Sequence, residues 1–153
     1  MSGAYFKLLQ SFLQQQAQKT NFMKCITQSR IISADEGKVK VEMEVTDELT
    51  NPLGTLHGGC SATLIDCITT FACIATPQQK AGVSVDMTIN YLSSAKVGDT
   101  IVVEGNILKL GKTLAFTQGN IYHKKDNNLI ATGLHTKAFP KHLSKIGNDK
   151  NVI

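Results

Sequence analysis

From residue 4 to about residue 18 the apolar side chains Tyr5, Leu8, Leu9, Phe12 and Leu13 recur at the three- and four-residue spacing of a helix that buries one stripe. After Asn21 the period shortens to two. Val39, Val41, Met43 and Val45 alternate with Lys40, Glu42 and Glu44, and a β-rich run over residues 25–34 precedes them across Asp35-Glu36-Gly37. This predicts a hairpin with one buried face. A loop rich in turn residues, 51–59, leads into sixteen residues, 60–75, of helix length and almost no charge, with Pro77 beyond them as the break. Four more strand-like runs follow at 82–92, 100–110, 113–123 and 129–139, punctuated by Gly98-Asp99, Gly111-Lys112 and Asp126-Asn127-Asn128. Strands joined by short turns pair as antiparallel neighbours, and a helix apolar nearly all round has to be enclosed. The order therefore predicts an α+β fold in which one curved antiparallel sheet wraps a central helix and the first helix packs outside.

Composition narrows the picture without changing it. At 153 residues and 16.6 kDa the chain fits a single domain, 1–153, with a core over about 22–139 and a polar, basic tail over about 141–153. Apolar residues at 42% and charged residues at 18% suit a globular protein rather than a disordered one. The longest run poor in charge, 60–75, falls short of the roughly 20 residues a bilayer needs and carries Asp66 in its middle, so no membrane span is expected. The net charge of +4 comes from lysines scattered without interleaved aromatics, which argues against a nucleic-acid groove and suits a small anionic ligand. Cys25, Cys60, Cys67 and Cys73 form no CxxC pair, which points to core thiols and a reducing compartment. The N-terminus lacks the charged start and apolar run of a secretory signal. A cytoplasmic location is expected, with mitochondrial import as the alternative because the first acid is Asp35.

Asp66 is the first chemical signal. A carboxylate on a helix otherwise built from Leu, Ile, Phe, Ala, Cys, Ser and Thr costs several kcal/mol to bury unpaired, so it has a partner or a task. The second is His57-Gly58-Gly59 at the helix start, where backbone N–H groups lack intrahelical acceptors and glycine admits a close oxygen. Asn51 adds a side-chain N–H to that oxygen or caps a turn. Gly58 and Asp66 lie eight positions apart, about 12 Å along one helix. If both act on one carbon, they come from two copies of the chain, which predicts a symmetric dimer with sites across its interface.

The runs Asn51-Pro52-Leu53-Gly54-Thr55-Leu56-His57-Gly58-Gly59, Ala62-Thr63-Leu64-Ile65-Asp66 and Gly82-Val83-Ser84-Val85-Asp86-Met87 together resemble the hotdog-fold acyl-coenzyme A thioesterases. The likeness extends over about residues 22–137. It implies hydrolysis of medium- to long-chain fatty acyl-coenzyme A, with coenzyme A only as part of substrate and product, no separate cofactor and no metal. It also implies a homodimer or homotetramer. By the resemblance, Gly58 N–H and Asn51 hold the thioester carbonyl, supported by His57, while Asp66 and Ser84 of the partner copy activate water; Asp66 as direct nucleophile is the alternative. Coenzyme A would follow Tyr91, Leu92, Ser93, Ser94, Ala95 and Lys96, then Lys109, Leu110, Gly111, Lys112, Thr113 and Leu114, with His135 near the ligand. Ser94 departs from the proline expected there.

The residues leave other readings open. His57 and His135 suit structural roles as well as site roles, and the lysines at 96, 109 and 112 suit a solvated surface. Strand alternation sets Ser84, Asp86 and Thr88 on the face opposite Val83, Val85, Met87 and Ile89. A non-catalytic acyl-coenzyme A binder on the same fold is the rival function, and a dehydratase is a weaker one because the helix carries no His.

Overall fold

A computed structural model describes residues 3–146, so residues 147–153 of the expected tail lie outside the described residues. Helix α1, Gly3–Ala17, precedes a single helical turn, α2, Lys24–Thr27. Strands β1, Arg30–Asp35, and β2, Lys38–Glu44, form the hairpin, followed by the central helix α3, Gly58–Ile74. The remaining strands are β3, Val83–Tyr91, β4, Thr100–Leu110, β5, Leu114–His123, and β6, Leu129–Ala138. All six strands join one antiparallel sheet in the order β1-β2-β4-β5-β6-β3. No helix among the described residues is long and apolar enough to cross a membrane.

The hairpin buries Val39, Val41, Met43 and Val45, as alternation requires. Its first strand starts later than expected. Residues 24–27 turn as a helix and Ser29 Oγ donates to the Ile26 carbonyl at 2.6 Å, so the β-rich composition of 25–34 produces strand only from Arg30. Side-chain capping of this kind lets a local turn win over strand propensity. The topology also corrects the expectation that consecutive strands are neighbours. β3 lies at the far edge beside β6, and residues 92–99 carry the chain back to β4. That segment is too long for a tight hairpin and is anchored across the body of the fold, where the Leu56 N–H donates to the Ala95 carbonyl and Thr55 bridges Lys96. The described part of the tail is held to the body of the fold: Ile146 N–H donates to the Gln79 carbonyl at 2.8 Å and Lys145 to that of Pro77 at 3.2 Å.

Helix α1 buries Leu9, Phe12 and Leu13 against β1 and α3, with Phe12 meeting Phe71 edge to face at 5.9 Å. Helix α3 is buried along most of its circumference and packs on five of the six strands. It approaches closely because Gly105, Gly119 and Gly133 stand side by side on β4, β5 and β6 beneath it. A Cβ at Gly105 would sit 2.4 Å from the Ile68 carbonyl oxygen, and one at Gly119 2.9 Å from the Ile65 side chain. Backbone cannot yield as a side chain can. Gly105→Ala is therefore expected to cost about 3 kcal/mol or more, which lowers Tm by about 6 to 12 °C in a domain this size. Calorimetry checks it.

Candidate active site

Asp66 sits midway along α3 with its side chain 44% exposed. Its Oδ1 lies 3.5 Å from Nζ of Lys137 and 3.8 Å from Nδ1 of His135. Both partners project inward from β6, whose odd positions Ala131, Gly133, His135 and Lys137 are buried against α3. His135 Nδ1 is 2.7 Å from the Thr69 hydroxyl, and its Nε2 is 2.9 Å from the Ser84 hydroxyl. Lys137 donates to Thr70 Oγ1 at 2.7 Å. The structure thus joins Asp66, Ser84 and His135 into one polar cluster with Thr69, Thr70 and Lys137.

Ser84 reaches this cluster through a bulge. β3 pairs with β6 as Ser84↔Lys137 and then as Asp86↔Thr136 and Met87↔His135, so Val85 is the extra residue. One extra residue reverses the alternation. Ser84 therefore shares the helix-facing side with Met87 and Ile89, and not with Asp86 and Thr88 as strict alternation predicts. The register change aims a hydroxyl at His135 where an unbroken strand would turn it outward.

Burial pushes the His135 imidazole below its ordinary value of 6.5, and the Lys137 ammonium pushes it further down, against the opposing pull of Asp66 and Asp86. The neutral ring is thus the folded form near neutrality. Below 6.5 the unfolded chain binds a proton that the folded chain does not, so stability is whole above 6.5 and is lost as pH falls. The urea midpoint should be lower at about pH 5.5 than at about pH 7.5, and the gap should shrink in His135→Gln.

The other half of the expected site lies at the start of α3. His57 is its N-cap, and its Nδ1 accepts from the Gly59 N–H at 2.9 Å. Gly58 is the first helical residue, and its N–H donates to no described residue. Tyr91 covers it: the phenol donates to the Gly58 carbonyl at 3.2 Å, and a Cβ at Gly58 would rest 3.5 Å from the ring. Asn51 closes the preceding loop, its Oδ1 accepting from Leu53 N–H at 2.9 Å and its Nδ2 donating to Thr55 Oγ1 at 3.0 Å. One amide hydrogen remains for another acceptor. The two clusters stand about 12 Å apart along α3, so within one protomer they form two separate groups of the expected site residues.

The expected coenzyme A contacts are divided in the same way. Tyr91 pairs with Ala131 and Leu114 with Ala138, which sets the two segments about 24 Å apart along β6. Ser93 is fixed to the Leu129 carbonyl at 2.9 Å, the Ser94 carbonyl contacts His123 Nε2 at 3.0 Å, Ala95 is buried, and Leu92 and Lys96 are exposed. At the opposite end the β4–β5 turn exposes Lys109, Leu110, Lys112, Thr113 and Leu114 around Gly111, whose carbonyl accepts from Gln78 at 3.2 Å. The four cysteines are free thiols. Burial raises Cys67 strongly and Cys73 to about 11, which makes both poor nucleophiles.

Sequence reasoning missed Lys137, Thr69 and Thr70 as members of the Asp66 cluster. Lysine on an inward position of the last strand, two residues after a histidine on the same face, was the available signal. The threonines needed the helix register against β6 to be known.

Residues 53–130 match the model of the thioesterase superfamily. The human protein acyl-coenzyme A thioesterase 13 is 50% identical over 117 residues, 76% of this chain and 84% of that protein. The crystal structure of zebrafish thioesterase superfamily member 2 superposes with a TM-score of 0.86 at 38% identity, covering 88% of this chain and 98% of that one. A Streptococcus mutans protein whose crystal structure holds acetyl-coenzyme A superposes with a TM-score of 0.70 at 28% identity, covering 80% and 94%.

Proposed function

This chain belongs to the thioesterase superfamily, and from that premise we propose that it hydrolyses medium- to long-chain fatty acyl-coenzyme A to the free acid and coenzyme A. The observation that carries the reading is the pair of half-sites on α3: a first-turn amide at Gly58 that donates to no described residue, and a carboxylate at Asp66 set beside the Ser84 and His135 pair. The human relative's name supports the reaction class, and the acetyl-coenzyme A held by the Streptococcus mutans neighbour supports the ligand.

In the proposed reaction the thioester oxygen lies against the Gly58 N–H at the positive end of the α3 dipole, with Asn51 as second donor and His57 fixing the turn. Negative charge that builds on this oxygen during attack meets donors already in place. Asp66 of the partner copy takes a proton from water that Ser84 orients, and the water oxygen adds to the acyl carbon. Collapse of the adduct expels the coenzyme A thiolate, which takes up the proton held by Asp66 and leaves as the thiol. Asp66 attacking directly, with a mixed anhydride hydrolysed afterwards, is the other order of events.

The sheet supports a two-copy assembly. Among the described residues β3 has a neighbouring strand on one side only, and its exposed Val83, Val85, Met87 and Tyr91 form an apolar edge. Such an edge pairs with another strand or is covered. A second copy of β3 across a twofold axis would continue the sheet and bring one copy's Gly58 toward the other's Asp66. Release of free thiol from acyl-coenzyme A of graded chain length tests the function. Steady release that rises from acetyl to long-chain substrates is expected. Tight binding without release would leave a binder and overturn the hydrolase.

A further inference from the structure

Resting on the thioesterase reading of this site, we propose that Lys137 is a positioning residue, whose buried ammonium holds Asp66 by Oδ1 and leaves Oδ2 as the oxygen that works on the water or the acyl carbon. The Lys137 side chain is only 4% exposed, yet it ends in a cation. An apolar side chain would fill that inward position without the desolvation cost, so stability alone does not account for a lysine. Among the described residues Asp66 is its one carboxylate partner, at 3.5 Å.

The direction of each contact is fixed. Thr70 spends its hydroxyl hydrogen on the Asp66 carbonyl at 2.8 Å, so its oxygen is the acceptor for the Lys137 ammonium at 2.7 Å. The ammonium thereby bridges the carboxylate of Asp66 and the hydroxyl one turn later on α3, which restrains both Asp66 torsions. His135 approaches the same carboxylate oxygen, at 3.8 Å. Oδ2 accepts no hydrogen bond from the described residues, and Lys137 and His135 both make their contact with Oδ1. Displacing a reacting group by about 1 Å costs up to about 100-fold in rate. The same ammonium, with burial, keeps the facing His135 neutral against Asp66 and Asp86, which leaves its Nε2 to pair with Ser84 as a neutral ring.

The test is Lys137→Met, a neutral side chain of similar length, assayed by thiol release alongside the parent protein. We expect kcat to fall roughly 10- to 100-fold with KM nearly unchanged, because misplacement of the carboxylate affects the chemical step and not ligand affinity. The His135 imidazole, followed by NMR, should titrate at higher pH once the ammonium is gone. Lys137→Ala should regain rate with added ethylammonium and not with ethanol. Thr70→Val, which keeps the lysine and removes its acceptor, should show the same kcat pattern more weakly, and it serves where Lys137→Met does not fold. Parental kcat in folded Lys137→Met or Thr70→Val overturns the proposal, as does equal rescue by ethanol. A parent protein that releases no thiol would instead overturn the thioesterase reading itself.

Discussion

Asp66→Asn is expected to abolish thiol release while leaving the assembly size unchanged. Asparagine keeps the size of the side chain and a carbonyl oxygen facing the Lys137 ammonium, which retains Thr70 Oγ1 as its hydrogen-bond acceptor at 2.7 Å, so the packing of α3 against β6 survives. It loses the negative charge that takes a proton from water or attacks carbon. Removal of a general base costs about 10² to 10⁴ in rate, and removal of a nucleophile costs more. Size-exclusion chromatography with the thiol assay reads both outcomes at once. Near-normal turnover in an intact assembly would exclude Asp66 from the reaction.

Gly58→Pro is the second large effect, and it isolates a single hydrogen. Gly58 occupies the first position of α3, where proline is well tolerated because that N–H has no helical acceptor. His57 before it is extended, with φ −65° and ψ 134°, the conformation that proline favours in its predecessor. A Cβ there meets the Tyr91 ring at an ordinary 3.5 Å. The substitution therefore deletes the proposed oxyanion donor and keeps the helix. A loss of about 2.7 to 4 kcal/mol in transition-state stabilisation, about 10²- to 10³-fold in kcat, is expected. Unchanged kcat would remove that amide from the mechanism.

Much of this was legible from side-chain periodicity. The alternation on β2, the apolar circumference of α3 and the lone carboxylate within it marked the buried face, the central helix and the residue around which the polar cluster forms. What stayed hidden depends on contacts distant in sequence. The slot of β3 beside β6 is set by the anchoring of residues 92–99 on the 51–56 loop, which no local pattern encodes. The bulge at Val85 changes which side Ser84 faces, and alternation taken literally sends that hydroxyl the wrong way. Lys137 looks like one more surface lysine until β6 is docked on α3, whereupon it becomes the counter-charge of Asp66. The half-sites illustrate the converse. Helix rise alone separated Gly58 from Asp66, and the fold keeps both on one continuous helix, so the proposal that a carbonyl served by both draws on two chains rests on arithmetic available before any coordinates.

The most direct test mixes two inactive proteins. Gly58→Pro subunits retain Asp66, and Asp66→Asn subunits retain the Gly58 amide, so a hybrid dimer rebuilds one complete site and one doubly defective site. Random mixing of equal amounts, by co-expression or by unfolding and refolding together, should restore about a quarter of the parental rate, since half the dimers are hybrids with one working site each. Recovery to that level is the expected result. A mixture as inactive as its two components, with subunit exchange verified by mass spectrometry, would contradict a site shared between two copies of the chain.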